Sequence, residues 1–343
     1  MTDIVLRKLD EMIGGYLDIS NLNLTALPDS PLWVEVVKLW CQNNQLTALP
    51  ELPAVKVLYC GNNLLRTLPD LPKIRLLYCD SNRLIQLPKM PTIRILQCYR
   101  NQLTQLPDLP TIEILSCEYN QLTVLPEMPK ISVLYCNNNY LPVLPELQIV
   151  KKLNCSHNQL TQLPVLPLVK RLYCCFNQLI QLPELSLVKT LNCCYNQLTQ
   201  LPELPLVKRL WCYNNQLTSL PEIPLIEILN CCYNQLTYLP ELSKVEILNC
   251  GYNQLTVLPK LPNKTNLSRA GNLLHYNPKF NKLHWTIINF VTLKIYVSRW
   301  RKFNSEAVSA KKQDLHNELL YSPDLPFYKD REEYQHWLEN TRD

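Results

Sequence analysis

Glycine is nearly missing from this chain, with 5 among 343 residues against 27 prolines. A loop that cradles phosphate through clustered backbone N–H groups needs several glycines close together, and no such cluster is present. Cysteine is absent outside residues 41–250, so neither end carries a thiol nucleophile or a cap disulfide. No apolar run is long enough to span a bilayer: residues 285–303 are interrupted by Asn289, Lys294, Arg299, Arg301 and Lys302. The opening stretch, residues 1–16, holds no long apolar core, which argues against a secretory leader. An excess of one charge is missing too, since a net +5 is far from the balance of a dedicated nucleic-acid binder. The GxSxG and HExxH patterns are likewise absent. No catalytic residue, metal ligand set or cofactor is therefore expected, and the chain reads as non-enzymatic.

What fills the chain instead is one phrase repeated. Residues 201–221, LPELPLVKRLWCYNNQLTSLP, recur with small changes, and an asparagine marks each copy at a constant period of 19, from Asn44, Asn63 and Asn82 to Asn272. Thirteen copies carry it. A looser copy at residues 17–28 precedes them, set back three positions further than the period, with Leu22 in the asparagine slot. Val207, Leu210, Cys212, Asn215 and Leu217 spell LxxLxLxxNxL with cysteine in the third leucine slot, the pattern of the leucine-rich repeat.

The residue types predict the architecture. Inward Leu210 and Cys212 alternate with outward Arg209, Trp211 and Tyr213, the period of a strand with one buried face, so stacked copies make a parallel β-sheet on the concave side of a solenoid. Asparagine ends each strand because its short amide can bond backbone groups that leave the ladder. The LPELP return holds two prolines in a few residues, which predicts an extended, polyproline-like convex side with no room for a helix. Three regions follow: an N-terminal cap helix at 1–16, a solenoid at 17–274 and a helical C-terminal region at 275–343.

Twelve of the 15 cysteines fall in the inward slot, and Cys175, Cys194 and Cys232 fall beside it, expected to face outward. Parallel strands hold side chains about 4.8 Å apart with parallel Cβ vectors, a poor geometry for disulfides. The inward column is read as free, buried thiols, which fits a reducing, intracellular compartment. His157 near Cys175 and Cys194 lacks metal-ligand spacing, and no metal is assigned.

Two sets of outward residues are candidate binding groups. Aromatic residues are expected on the concave face, among them Trp40, Tyr59, Tyr78, Tyr173, Phe176, Tyr195, Trp211, Tyr213 and Tyr233, a composition suited to protein recognition. Stacking along the ladder alone is the competing account. A basic strip, Lys151, Lys152, Lys170, Arg171, Lys189, Lys208 and Arg209, crosses four neighbouring strands, with other copies carrying Glu113, Glu227 and Glu246. An acidic column that includes Glu146, Glu184, Glu203 and Glu222 lies a few residues before it and offers neutralisation on the rim as the alternative to binding.

LPELP followed by LxxL and NQLTxLP resembles the bacterial-effector class of short leucine-rich repeats over residues 17–274, with a period one residue shorter and cysteine in place of the usual valine. Cysteine-bearing short repeats also resemble proteins of giant DNA viruses that infect amoebae. Some members of the effector class add a C-terminal ubiquitin-ligase domain with a cysteine nucleophile. Here the last cysteine is Cys250, which departs from that pattern. The expected function is a protein-protein interaction scaffold binding an unidentified partner on the concave face. The alternatives are a binder of nucleic acid or another polyanion through the basic strip, and a structural or self-associating protein.

Overall fold

A computed structural model of the chain describes residues 2–276. Fourteen strands form one parallel sheet in strict chain order. Strands β1 (Tyr16–Asp18) and β2 (Lys38–Trp40) come first, and the later ones include β3 (Val57–Tyr59), β4 (Leu76–Tyr78), β8 (Lys152–Asn154), β9 (Arg171–Tyr173), β10 (Thr190–Asn192), β11 (Arg209–Trp211), β12 (Ile228–Asn230) and β14 (Asn266–Ser268). Register never slips: Leu39 faces Leu58, and Leu191 faces Leu210. This is the expected solenoid, one coil per repeat, with each coil resting only on its neighbours.

The core is a set of columns. In one coil Val207, Leu210, Cys212 and Leu217 are wholly buried, as is Ile223 at the start of the next. Each such aliphatic residue contributes roughly 2 kcal/mol by leaving water. The strands are shorter than the alternation suggested, 3 residues each. The hydrogen-bond ladder nevertheless continues beyond them, since Cys41 N–H donates to the Tyr59 carbonyl at 2.8 Å and Asn43 N–H to Gly61 at 3.0 Å.

Asparagine completes the seam between coils. The Asn63 side-chain amide donates to the carbonyls of Cys60 and Cys41, and its oxygen accepts the Leu46 N–H at 3.0 Å. The same three contacts recur at every asparagine from Asn63 to Asn253, as at Asn158 and Asn234. Asn272 makes them with Arg269 in its own cysteine slot. Backbone groups that turn out of the sheet are thus satisfied inside the protein rather than by water.

Immediately before each of these asparagines the backbone is left-handed. Asn43, Asn62, Arg100, Tyr119, His157, Phe176, Tyr195, Tyr233 and Tyr252 all have φ between 50° and 58°. Asparagine tolerates this region, whereas for bulky residues it costs roughly 1 kcal/mol or more. The last copy uses Gly271, at φ 73°, where an added Cβ would lie 2.7 Å from the Tyr252 ring.

The return segments contain neither helix nor strand between β2 and β14. The long first step is different. Its three additional residues accommodate a 3-10 turn, Pro31–Glu35, in which Ser30 Oγ accepts the Leu32 N–H and buried Trp33 donates from Nε1 to the Pro28 carbonyl at 2.9 Å. The expectation of a helix-free convex side therefore holds only for the coils of regular length.

The cap helix is shorter than expected. Helix α1 (Thr2–Asp10) buries Val5 and Leu9, while Ile13 is 88% exposed and Tyr16 already belongs to β1. Gly14 and Gly15, at φ 63° and 70°, turn the chain back before residue 16. A Cβ at Gly15 would come within 2.7 Å of Val37, and the Gly15 carbonyl accepts the N–H groups of Val37 and Lys38. At the other end, α2 (Leu273–Tyr276) follows β14. Beyond it, the helices expected within 275–343 lie outside the described residues.

Candidate functional site

Three outward columns make the surface on which the candidate residues stand. The strand column holds the third residue of each strand, including Trp40, Tyr59, Tyr78, Tyr173 and Trp211, each half-buried. The left-handed column holds Phe176, Tyr195 and Tyr233, each exposed. Tyr213 lies between them, two residues after Trp211, half-buried. The aromatic set expected on one face is thus divided between strand and loop. Phe176, Tyr195 and Tyr233 project from the turn after the strand, because period-2 alternation ends where the strand does.

Within the columns the rings form separate groups. Tyr16 meets Trp40 edge-on at 4.7 Å, Trp40 stacks on Tyr59 at 5.1 Å, and Tyr59 stacks on Tyr78 at 4.4 Å. Burial, and secondarily the neighbouring Tyr59 phenol, raises the pKa of the Tyr78 phenol above its ordinary value. In the left-handed column His157, Phe176 and Tyr195 stack at 4.2 Å spacings, and Tyr213 meets Tyr195 edge-on at 5.4 Å. Tyr233 pairs with Tyr252 at 4.4 Å. Tyr173 and Trp211 stand apart, on β9 and β11 either side of Asn192, with no aromatic partner among the described residues.

The basic strip runs along the entry side of β8 to β11. Lys151, Lys170, Arg171, Lys189, Lys208 and Arg209 are exposed, and Lys152 is half-buried with its ammonium 4.7 Å over the Tyr135 ring. Within the strip only Lys208 is paired among the described residues: it meets Glu227 at 2.7 Å, which holds that carboxyl below its usual range. The other ion pair among the described residues is Arg94 with Glu113, at 3.9 Å. The acidic column offered as a neutralising partner makes none there, because its residues sit on the return segment while the cations sit at the strand. Six of the seven strip cations have no described carboxylate within bonding range.

Sequence reading missed a second basic group. Lys56, Lys73, Arg75 and Arg94, with Thr92 and Thr111, line a groove of about 360 Å³ on coils nearer the N-terminus. The signal was there, since Lys56, Arg75 and Arg94 occupy the same slot as Lys151 and Lys170, but singly. The strip is therefore not the sole basic region of this edge.

The 12 inward cysteines are buried and free, and burial pushes their thiols well above the ordinary range. Of the three expected to face outward, Cys175 and Cys232 are half-buried but Cys194 is buried. Tyr213 occupies the same slot on the next coil, beside the Cys194 thiol; burial is the main cause that pushes the Cys194 thiol up to about 12 and the Tyr213 phenol to about 12. Cys175 Sγ donates to Ser156 Oγ at 3.1 Å. No group of three potential metal ligands comes together among the described residues. In the same column Glu118 carries a buried carboxylate oxygen without a partner among the described residues, and burial raises its pKa to about 7. No helix among the described residues is long and apolar enough to cross a membrane.

Comparison with known proteins follows the same lines. A family model described as leucine-rich repeats, in two copies, matches residues 34–73. No curated protein matches the sequence. Among solved structures, YopM from Yersinia enterocolitica is 31% identical with a TM-score of 0.68, covering 79% of this chain and 68% of its own. The YopM leucine-rich effector of Yersinia pestis is 28% identical with a TM-score of 0.59, covering 78% of this chain and 92% of its own. A leucine-rich-repeat protein of Leptospira interrogans is 26% identical with a TM-score of 0.59, covering 84% and 97%. The fold these proteins share is typically a non-enzymatic scaffold for protein interaction. With its repeat signature, its unbroken parallel solenoid and its identity to the Yersinia enterocolitica protein, the chain belongs to the leucine-rich-repeat proteins.

Proposed function

We propose that this protein binds a partner protein with acidic character on its sheet face, centred on β9 to β11. The observation that carries the proposal is the arrangement of Arg171–Tyr173 and Arg209–Trp211. Each strand presents an exposed arginine, without a carboxylate partner among the described residues, beside a half-exposed aromatic ring, and Asn192 stands between the two rings. Aromatic residues flanked by arginine are where binding energy concentrates in protein interfaces. The leucine-rich-repeat scaffold, typically a platform for protein interaction, supports a protein partner, and 15 free thiols support a reducing compartment such as the cytosol, a host cell's included.

Trp211→Ala combined with Arg209→Glu tests this reading. Both side chains are at least partly exposed, so the variant should fold. Loss of partner capture from a cell lysate at high salt, with the unfolding transition unchanged, is the expected result. Undiminished capture by the folded variant removes the site from these strands.

The six strip cations without a carboxylate partner among the described residues favour one alternative, binding of nucleic acid or another polyanion. Retention that falls steeply with salt concentration and does not need Trp211 identifies that mode.

A further inference from the structure

A row of exposed aliphatic side chains accompanies the basic strip. Each coil enters its strand through a tight turn, closed by N–H···O=C bonds such as Val169 to Leu166, Val188 to Leu185 and Val207 to Leu204. At the tip of this turn stand Ile149, Leu168, Leu187 and Leu206, between 36% and 41% exposed. Leu225 occupies the same place one coil later and is partly covered. Turn tips favour polar residues or glycine. Elsewhere in this chain the slot is small or polar, with Ala54, Lys73, Thr92, Thr111, Lys130 and Lys244. The fold therefore does not require a large aliphatic residue there. Only the coils that carry the basic strip, and the one following them, have one.

We propose that this edge of the solenoid docks on an anionic lipid surface. The five turn tips form a row about 19 Å long at the strand spacing, with Lys151, Lys170, Lys189 and Lys208 two residues further along each coil. Leucine tips enter the interface between headgroups and acyl chains while the cations remain at the phosphates, the division of labour that holds peripheral proteins on membranes. The cationic groove of Lys56, Lys73, Arg75 and Arg94 lies on the same edge, at the same turn tips and strand entries, and extends the positive surface. Carboxylates are not absent: Glu146, Glu184, Glu203 and Glu222 lie three residues before their tips on the return segment, and Glu113 and Glu227 each pair with a strip or groove cation.

A fluid apolar layer receives a row of separate side chains without matched sockets, whereas a protein surface must supply one socket per coil. A second copy docking through the same row would set its cations against these cations, which opposes association. This inference is independent of the sheet-face proposal.

Vesicle co-sedimentation of the full chain tests it. Wild type should pellet with phosphatidylcholine vesicles containing about one fifth phosphatidylserine and remain in solution with phosphatidylcholine alone. Leu168→Ser with Leu187→Ser and Leu206→Ser, all at exposed tips, should retain the wild-type circular dichroism spectrum and lower the bound fraction about tenfold. Lys170→Gln with Lys189→Gln should lower it as well, while Trp211→Ala should not. The inference is overturned if wild type stays in solution with the anionic vesicles, or if the serine variant pellets as wild type does. It is also overturned if the serine substitutions abolish self-association or capture of an acidic protein while vesicle binding is absent.

Discussion

The carbonyl of Cys41 is shared by two asparagines: it accepts from Asn44 in its own coil and from Asn63 in the next, each at 3.0 Å. Every coil is therefore tied to its neighbour by a side chain as well as by the strand ladder. At the middle of the molecule, Asn139→Ala would leave the Leu122 N–H without its partner and remove one of two amide donors from each of the Cys117 and Cys136 carbonyls, which keep Asn120 and Asn158. A loss of about 1 to 3 kcal/mol in urea unfolding is expected. Because stability in a solenoid propagates between neighbours, proteolytic cleavage should appear near coil boundaries around residue 139.

The cysteine columns predict a reactivity pattern. Native protein treated with a thiol reagent at about pH 8 should be modified at Cys175 and Cys232, the half-buried pair, and at no other cysteine. Cys194 should react only after Tyr213→Ala opens the same slot on the following coil. Peptide mapping of the labelled protein checks both statements.

Left-handed backbone and ring stacking oppose one another at Phe176. It has φ 54° and stacks on both His157 and Tyr195. Tyr119 has the same φ, with the Arg100 guanidinium 5.8 Å from its ring and no stacked aromatic among the described residues. Tyr119→Asn should therefore raise stability by roughly 0.5 kcal/mol, since asparagine accepts this conformation. Phe176→Asn should lower it by about 1 kcal/mol, because two ring contacts are lost. The two melting temperatures should move in opposite directions.

Glu118 makes stability depend on pH. Burial raises its pKa to about 7 from the ordinary 4.5, so the fold holds the proton more tightly than the unfolded chain does. Below the unfolded value both states are protonated and the group carries no penalty. As pH rises from about 4.5 to 7 the unfolded chain releases its proton first, and stability declines across that window, with the full penalty present above it. Glu118→Gln should flatten this part of the melting temperature profile and raise the melting temperature at pH above about 7.

Much of this architecture was legible because each core column contains nearly one residue type at one spacing. Leu210, Cys212 and Asn215 announce the strand, the core and the seam without reference to anything distant. The surface was less legible for physical reasons. Tyr195 and Tyr233 fall on the inward parity of the strand on paper, but the strand ends three residues before them and the left-handed turn exposes them. Cys194 shares a slot with Cys175, yet it is buried and Cys175 is not; the same slot on the following coil holds Tyr213 beside Cys194 and a cysteine beside Cys175. Lys56 and Arg75 escape notice because each stands beside an aliphatic residue, whereas Lys151 and Lys152 form an adjacent pair. Helix α1 ends at Asp10, short of the stop at Gly14 and Gly15, and of the apolar residues spaced for its inner face Ile4 and Ile13 are exposed while Leu9 and the neighbouring Val5 are buried.

The unslipped register of leucine on leucine has an evolutionary corollary. Every seam from Asn63 to Asn253 is chemically the same, so a coil is an interchangeable part. Excising residues 120–138 would bring Asn139 against the Cys98 carbonyl in place of the Cys117 carbonyl, with all three amide contacts restored. Duplication of one whole coil would be equally silent. Recombination between copies in register can thus lengthen or shorten the molecule in whole coils, and surface patches such as Arg171–Tyr173 and Arg209–Trp211 can be copied along the edge without disturbing what lies beneath them.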